Sequence, residues 1–266
     1  MASYCVLWCY GTEQWRGRGA ELWVAALSAP GETWTVHDVT AGDYPSPAQL
    51  AACAGLVLTG SPSAAYDAAP WIATLLAYIR AAVALPRGPR LLGGCFGAQA
   101  ICAALGGAVA ATGKFVIRAE AIAAPQGAPP PAASPAPQLA ALLAAPGGAR
   151  LLEAHGDACV ALPPGATLLG ASPSCAHEVF CVPDAAGAPR ALGIQAHPEF
   201  DLELDTLGRV WPRVQHRLSA AEQEEARASF ALPRQGREVA AALKAWLAGG
   251  GSGCVSASSA AGAAAL

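Results

Sequence analysis

The segment from Leu91 to Gln99 places one cysteine where an apolar run meets the start of a helical pattern, and it reads Leu-Leu-Gly-Gly-Cys-Phe-Gly-Ala-Gln. A strand that turns sharply into a helix exposes its turn residue at the edge of a sheet, and glycines beside it let neighbouring elements approach closely. The positive end of the helix favours a thiolate, and its first backbone N–H groups can bind an oxyanion. The segment predicts a nucleophilic Cys95; the alternative is a cysteine packed in a Gly-rich turn.

A second apolar run, further along the chain, ends in His197-Pro198-Glu199. A cysteine nucleophile needs a general base, and that base needs an acceptor to orient it. Residues two apart in an extended segment project to the same side, and Pro198 favours this geometry. The Glu199 carboxylate can therefore hydrogen-bond the His197 ring and select its tautomer. We predict that Cys95, His197 and Glu199 form a catalytic triad, whereas a lone histidine would more often be structural.

A metal site is the competing interpretation of these residue types. The sequence has no His-x-x-x-His or Cys-x-x-Cys spacing, and a thiolate bound to a metal would be lost as a nucleophile. We therefore expect neither a metal nor a cofactor.

Composition and charge restrict the class of protein. The chain has 266 residues, of which 54% are hydrophobic, enough for one sizeable core in a single domain. A formal net charge of −3, with no concentrated basic face, argues against nucleic acid as a partner.

We expect no segment that would target this chain to a membrane. No apolar stretch provides the roughly 20 uninterrupted residues of a spanning helix. Met1 to Tyr4 leads directly into a predicted strand without the features of a signal peptide, so we expect a cytosolic protein. Nine cysteines without a repeating spacing fit reduced thiols better than a disulfide framework.

The first half of the chain alternates between strand and helix patterns, which predicts a mostly parallel sheet with helices on both faces. The predicted strands are Tyr4–Cys9, Trp34–Val39, Gly55–Leu58 and Arg90–Gly93, and the predicted helices are Ala20–Leu27, Pro70–Ala84 and Gly97–Leu105. Ligands bind beyond the carboxyl ends of strands in such sheets, where Cys95 falls. Tyr10 and Trp15 follow the first strand at this edge and are candidates to line a cleft.

The second half is less regular. We expect a hairpin-type insertion at Val109–Ala123 and a mobile Pro-rich loop at Pro125–Pro137. Further strands are predicted at Arg150–His155, Thr167–Ser172, Glu178–Val182 and Arg190–Gln195, and helices at Asp201–Gln215, Ser219–Phe230 and Glu238–Ala248. Residues 1–248 then form one domain, followed by a Gly/Ala/Ser tail at 249–266 that we expect to be disordered.

The motif Gly-x-Cys-x-Gly-x-Gln, followed downstream by Gln-x-His-Pro-Glu, resembles the class I, triad-type glutamine amidotransferase domain. This resemblance covers nearly the whole chain and implies a flavodoxin-like α/β fold. Thr59-Gly60-Ser61 is similar to the oxyanion loop of the family, which implies that the backbone N–H groups of Gly60 or Ser61 and of Phe96 form the oxyanion hole.

The resemblance also suggests substrate-binding residues. It gives the Gln99 amide a role at a bound substrate, with helix capping or packing as the alternative. His155 and Asp157, in a His-Gly-Asp segment similar to one found before the last strands of the family, could bind the charged end of a γ-glutamyl group or form a polar turn. Position 98 is Ala where the family usually has a bulkier residue, which is consistent with added room near the nucleophile.

Within the family, Gly113 to Ile117 and Glu120 look most like stand-alone plant γ-glutamyl peptidases. This implies hydrolysis of the γ-glutamyl amide bond of small glutathione-like substrates through a γ-glutamyl thioester. Two alternatives remain. One is a glutaminase subunit that supplies ammonia to a separate synthetase partner, and the other is a non-catalytic regulatory module on the same fold.

Overall fold

The computed structural model describes residues 1–11 and 18–249, without the side chains of residues 202–204. A seven-stranded sheet contains β1 (Ser3–Trp8), β2 (Thr33–Asp38), β3 (Cys53–Leu58), β4 (Arg90–Gly94), β7 (Thr167–Gly170), β8 (Val179–Pro183) and β9 (Pro189–Ile194). The order of these strands across the sheet is β2-β1-β3-β4-β9-β8-β7. The five strands β2, β1, β3, β4 and β9 are parallel to one another. β8 pairs antiparallel with β9, and β7 pairs antiparallel with β8. The predicted mostly parallel sheet is thereby confirmed.

Helices cover both faces of this sheet, because the strand residues on both faces are apolar and must be buried. On β1, Tyr4 and Val6 belong to the core on one face, and Cys5 and Leu7 to the core on the other. The first core contains residues of α1 (Gly19–Leu27), α5 (Pro137–Ala144) and α8 (Gly236–Ala248). The second contains residues of α2 (Pro47–Ala52), α3 (Pro70–Ala84) and α4 (Phe96–Ala104).

The prediction of a hairpin within Val109–Ala123 is wrong, because the pairing partner of these residues lies elsewhere in the chain. These residues form one long strand, β5 (Ala108–Ile122), which pairs antiparallel with β6 (Ala149–Ala161) in a separate two-stranded sheet. The predicted strand Arg150–His155 therefore continues to Ala161 and lies outside the main sheet. A strand's pairing partner depends on long-range contacts, which the local pattern does not contain.

A third core joins the two-stranded sheet to the helices that follow β9. The predicted helix over Asp201–Gln215 consists of a π-helix (Leu202–Val210), α6 (Trp211–Val214) and a 3-10 turn (Gln215–Arg217). The next helix, α7 (Ala220–Phe230), opens with the predicted capping box of Ser219 and Glu222. Trp211 and Phe230 pack edge to face and attach these helices to β5 and β6.

The Pro-rich segment contains more structure than the composition indicates. Pro131–Ala133 form a 3-10 turn, Ala136 is buried in the first core, and Pro137 begins α5. Neither α5 nor α2 is predicted from the sequence, because both are short. The mobility of this segment stays a prediction. Trp15 lies outside the described residues, and so does the tail beyond Gly249. No helix among the described residues is long and apolar enough to cross a membrane.

Candidate active site

Cys95 lies between the last residue of β4 and the first residue of α4, with φ 51° and ψ −111°. Among the described residues it is the only non-glycine with a positive φ. Such a conformation is strained for an L-residue and persists only where surrounding structure enforces it. Gly97 is part of that structure, since a Cβ there would collide with the backbone carbonyl of Leu58. The predicted sharp strand-to-helix turn is therefore present, and it brings the thiol to the carboxyl edge of the sheet.

His197 follows β9 and is held by contacts on both its backbone and its ring. Its N–H donates to the carbonyl of Leu152 on β6, with an N···O distance of 2.8 Å. The ring Nδ1 is 2.8 Å from Glu199 Oε1, and both side chains are buried. Phe200 stacks on the ring with centroids 4.0 Å apart. Because Glu199 accepts from Nδ1, the other ring nitrogen is left for the thiol.

The electrostatics of this site favour a charged imidazole. Burial alone would lower the pKa of His197, but the Glu199 carboxylate and a hydrogen-bonded Cys95 thiolate raise that pKa well above its usual value. Glu199 and Cys95 contact the imidazole in a region shielded from water, where electrostatic interactions are strong. The arrangement is thus suited to an imidazolium–thiolate pair.

Two glutamine side chains lie beside the nucleophile. Gln195 Nε2 donates to Cys95 Sγ at 3.5 Å, and Gln195 Oε1 accepts from Gln99 Nε2 at 3.1 Å. Gln99 Nε2 also donates to the carbonyl of Asp157 at 2.9 Å. These two hydrogen bonds occupy the Gln99 side-chain nitrogen, as the packing alternative predicts. A role of Gln99 at a bound substrate stays a prediction. Sequence reasoning assigned no role to Gln195, although its position in Gln-x-His-Pro-Glu was a usable signal.

The backbone groups expected to form the oxyanion hole lie around the same sulfur. Phe96 is the first residue of α4, so its N–H has no carbonyl partner within the helix. Gly60 and Ser61 follow β3 and line a cavity together with Cys95 and His197. Tyr10, as predicted, lines this cavity too.

His155 and Asp157 lie on β6 and line a larger cleft next to Cys95. Burial and the nearby His197 lower the pKa of His155 to about 4, so its ring is neutral at pH 7. Its Nδ1 lies 3.2 Å from the carbonyl of Asp157, and the Asp157 carboxylate accepts from the Tyr66 hydroxyl at 2.7 Å. A cationic group of a ligand could therefore pair with Asp157, whereas an anionic group would find no positive charge on His155.

Two buried carboxyl groups behind the site were missed by sequence reasoning. Glu178 accepts hydrogen bonds from the Ala196 N–H and the Ser172 hydroxyl, at 2.8 Å and 3.1 Å. Burial raises its pKa to about 7. Burial and the charges of Glu178 and Glu120 raise the pKa of Glu153 well above its usual range. Glu178 thereby supports the backbone that leads into His197.

Ala98 does not widen the site. Its side chain is buried in the second core and lines neither cavity at Cys95. A Cβ on Gly193 of β9 would lie 3.0 Å from Ala98 Cβ, which shows that this residue faces the sheet. The expectation of added room near the nucleophile is wrong, because the Ala98 side chain packs in the interior against β9 and borders neither cavity at Cys95.

Two cavities meet at Cys95. The larger, of about 650 Å³, is lined by Gln99, Lys114, His155, Asp157 and Glu222, among others. The smaller, of about 250 Å³, is lined by His197 and by largely apolar neighbours. Among the described residues no group of three or more His, Cys, Asp or Glu side chains could hold a metal ion.

Comparison with known proteins agrees with this fold. The model of the family "Glutamine amidotransferase class-I" matches residues 24–207, which include Cys95, His197 and Glu199. The chain belongs to the class I glutamine amidotransferase family.

Individual proteins are similar at lower identity. The chain is 29% identical to γ-glutamyl peptidase 4 of Arabidopsis thaliana over 199 residues, covering 71% of each chain. It is 28% identical to γ-glutamyl peptidase 2 of the same plant over 206 residues, 76% of this chain and 75% of the relative. A crystal structure of a glutamine amidotransferase from Methylobacillus flagellatus aligns with a TM-score of 0.65 at 24% identity and 94% coverage of both chains. This structural likeness shows the fold alone.

Proposed function

We propose that this protein is a cysteine-nucleophile hydrolase that cleaves the γ-glutamyl amide bond of small glutathione-like peptides or conjugates. The observation that carries the proposal is the strained Cys95 beside a His197 ring that is oriented by Glu199 at 2.8 Å. This is the geometry of an activated nucleophile, a base and an orienting acceptor. The names of the plant relatives favour γ-glutamyl substrates.

In the first half of the reaction, the Cys95 thiolate attacks the γ-carbonyl carbon, and a carbon–sulfur bond forms. The carbonyl oxygen becomes an oxyanion that accepts from the N–H groups of Phe96 and of Gly60 or Ser61. Each such donor contributes on the order of 3 kcal/mol in a transition state. The imidazolium of His197 gives its proton to the leaving nitrogen as the carbon–nitrogen bond breaks, leaving a γ-glutamyl thioester.

In the second half, water replaces the departed amine. His197, now neutral, takes a proton from the water as its oxygen attacks the thioester carbonyl. The carbon–sulfur bond breaks, glutamate leaves, and the thiolate–imidazolium pair is restored. Glu199 holds the ring in one orientation through both proton transfers.

The larger cleft fits the amino-acid end of a γ-glutamyl group. That end carries one ammonium and one carboxylate, and the cleft is lined by groups of both signs, including Asp157, Glu222 and Lys114. Groups of both signs in one cleft would bind both charges of such a zwitterion and let its γ-carbonyl reach Cys95.

The test measures kcat/KM of the purified chain for a γ-glutamyl peptide and for glutamine, without added protein or nucleotide. We expect glutamate as a product and a preference for the peptide, both abolished in Cys95→Ser. A preference for glutamine, or activity only with an added synthetase, would instead indicate the ammonia-supplying subunit. No turnover of either substrate in any combination would leave only the non-catalytic module.

A further inference from the structure

Cys95 lines both cavities, but of these two only the smaller one is also lined by His197. In the proposed function, on which this inference rests, the acid that protonates the leaving nitrogen must lie within hydrogen-bond reach of that nitrogen. The leaving group must therefore extend to the side of Cys95 on which His197 lies. This places the leaving group in the smaller cavity and the γ-glutamyl group in the larger cleft.

The smaller cavity combines apolar walls with two cations. Phe200, Val210 and Val214 line it together with Arg213 and Arg217. Its volume of about 250 Å³ suits a small amine. The apolar walls fit an apolar or thioether side chain, and the arginines fit an anion.

Both arginines are anchored by neutral partners. Arg213 Nη1 donates to the backbone carbonyl of Arg209 at 2.6 Å, and the Arg217 guanidinium lies 4.7 Å from the centre of the Phe115 ring. The buried carboxylate of Asp205, on the preceding π-helix, pairs with Arg18 and Arg209. Among the described side chains, which leave out those of residues 202–204, neither Arg213 nor Arg217 has an ion pair.

We propose that Arg213 and Arg217 form a subsite for the free carboxylate of the leaving group. The preferred substrates are then γ-glutamyl peptides whose amine product is an apolar or thioether-bearing amino acid or short peptide with an unblocked C-terminus. A planar guanidinium binds a carboxylate through two charge-assisted hydrogen bonds, which an amide in the same position cannot replace. Arg217 also borders the larger cleft, so Arg213 is the more selective probe.

The experiment compares two substrates that differ only at the C-terminus, γ-glutamyl-leucine and its C-terminal amide. We expect wild type to favour the free acid by about tenfold in kcat/KM, mainly through KM. In Arg213→Gln and in the Arg213→Gln/Arg217→Gln double variant, the acid-to-amide ratio should approach one. Arg213→Lys should restore part of it, because the charge returns without the bidentate geometry. Because the readout is a ratio within one protein, a partial loss of folding or activity cancels.

Arg80→Gln is the matched control, since Arg80 is an exposed residue of α3 that lines neither cavity. It should keep both the activity and the acid preference. Equal hydrolysis of acid and amide by wild type would overturn this inference while leaving the proposed function intact. An acid preference that survives in the double variant would overturn the assignment to these arginines. If neither substrate is hydrolysed, the proposed function fails and the inference fails with it.

Discussion

The side-chain amide of Gln195 donates to the sulfur of Cys95, with 3.5 Å between Nε2 and Sγ. Gln195 lies two residues before His197, so one short segment contacts the nucleophile twice, through an amide and through an imidazole. The Gln195 amide is itself oriented by Gln99. A donor held in this way stabilises negative charge on the sulfur.

Gln195→Leu tests this contact. We expect a fall in kcat of about tenfold or more with a smaller change in KM, because the variant loses a hydrogen bond to the charged form of the sulfur. The measurement is steady-state kinetics together with the rate of thiol alkylation near pH 7, which should also fall. Gln138→Leu, at an exposed position of α5, should leave both rates as in wild type. Normal alkylation of Gln195→Leu would show that the contact is only structural.

Cys95→Ser should abolish turnover without unfolding the chain. The substitution is nearly isosteric, but a hydroxyl is a much weaker nucleophile than a thiolate in this setting. Cys102→Ser is the matched control on the same helix, where the side chain contacts the Ala161 carbonyl at 3.2 Å and a hydroxyl can keep that bond. We expect its rate to stay within a few-fold of wild type. Turnover by Cys95→Ser at the wild-type rate would refute the mechanism.

Glu199→Gln should change both the rate and its dependence on pH. The Glu199 charge raises the pKa of His197, so its removal lowers that pKa. The imidazolium that protonates the leaving group is then lost at a lower pH, and the alkaline limb of kcat/KM should move to lower pH. We expect a large fall in rate, smaller than for His197→Ala. An unchanged pH profile would remove Glu199 from the proposed triad.

Glu178→Gln should alter how stability depends on pH. In the folded chain burial raises the pKa of Glu178 from 4.5 to about 7, so its stability contribution is full below about pH 4.5 and is lost as pH rises through 7. The slope approaches 1.4 kcal/mol per pH unit, which amounts to about 3 kcal/mol over this window. Glutamine does not titrate. The unfolding free energy of the variant minus that of wild type should therefore increase between about pH 5 and pH 8.

Gln138→Leu, an exposed substitution that involves no titratable group, serves as the control, and its difference from wild type should stay nearly constant with pH. Denaturant unfolding at several pH values measures both variants. A difference for Glu178→Gln that is flat or decreases with pH would mean that Glu178 is already ionised in the folded chain at pH 5.

Local patterns in the sequence determined the elements that carry the proposed triad. A strand, a Gly-rich turn and a helix are encoded by neighbouring residues, so the turn at Cys95 was predictable without a tertiary structure. The pairing of His197 with Glu199 was predictable for the same reason, since both lie on one extended segment separated by Pro198. The parallel sheet followed from the alternation of strands and helices.

Only the tertiary structure decided which distant segments meet these elements. The carbonyl of Leu152 that holds His197, the contact between Gln99 and Gln195, and the buried Glu178 all join residues far apart in the chain. The positions of Arg213 and Arg217 in the smaller cavity and the burial of Ala98 against β9 also depend on segments that are far apart in the chain. Periodicity shows that a side chain lies on a buried face, but the partner it meets there depends on how whole elements pack.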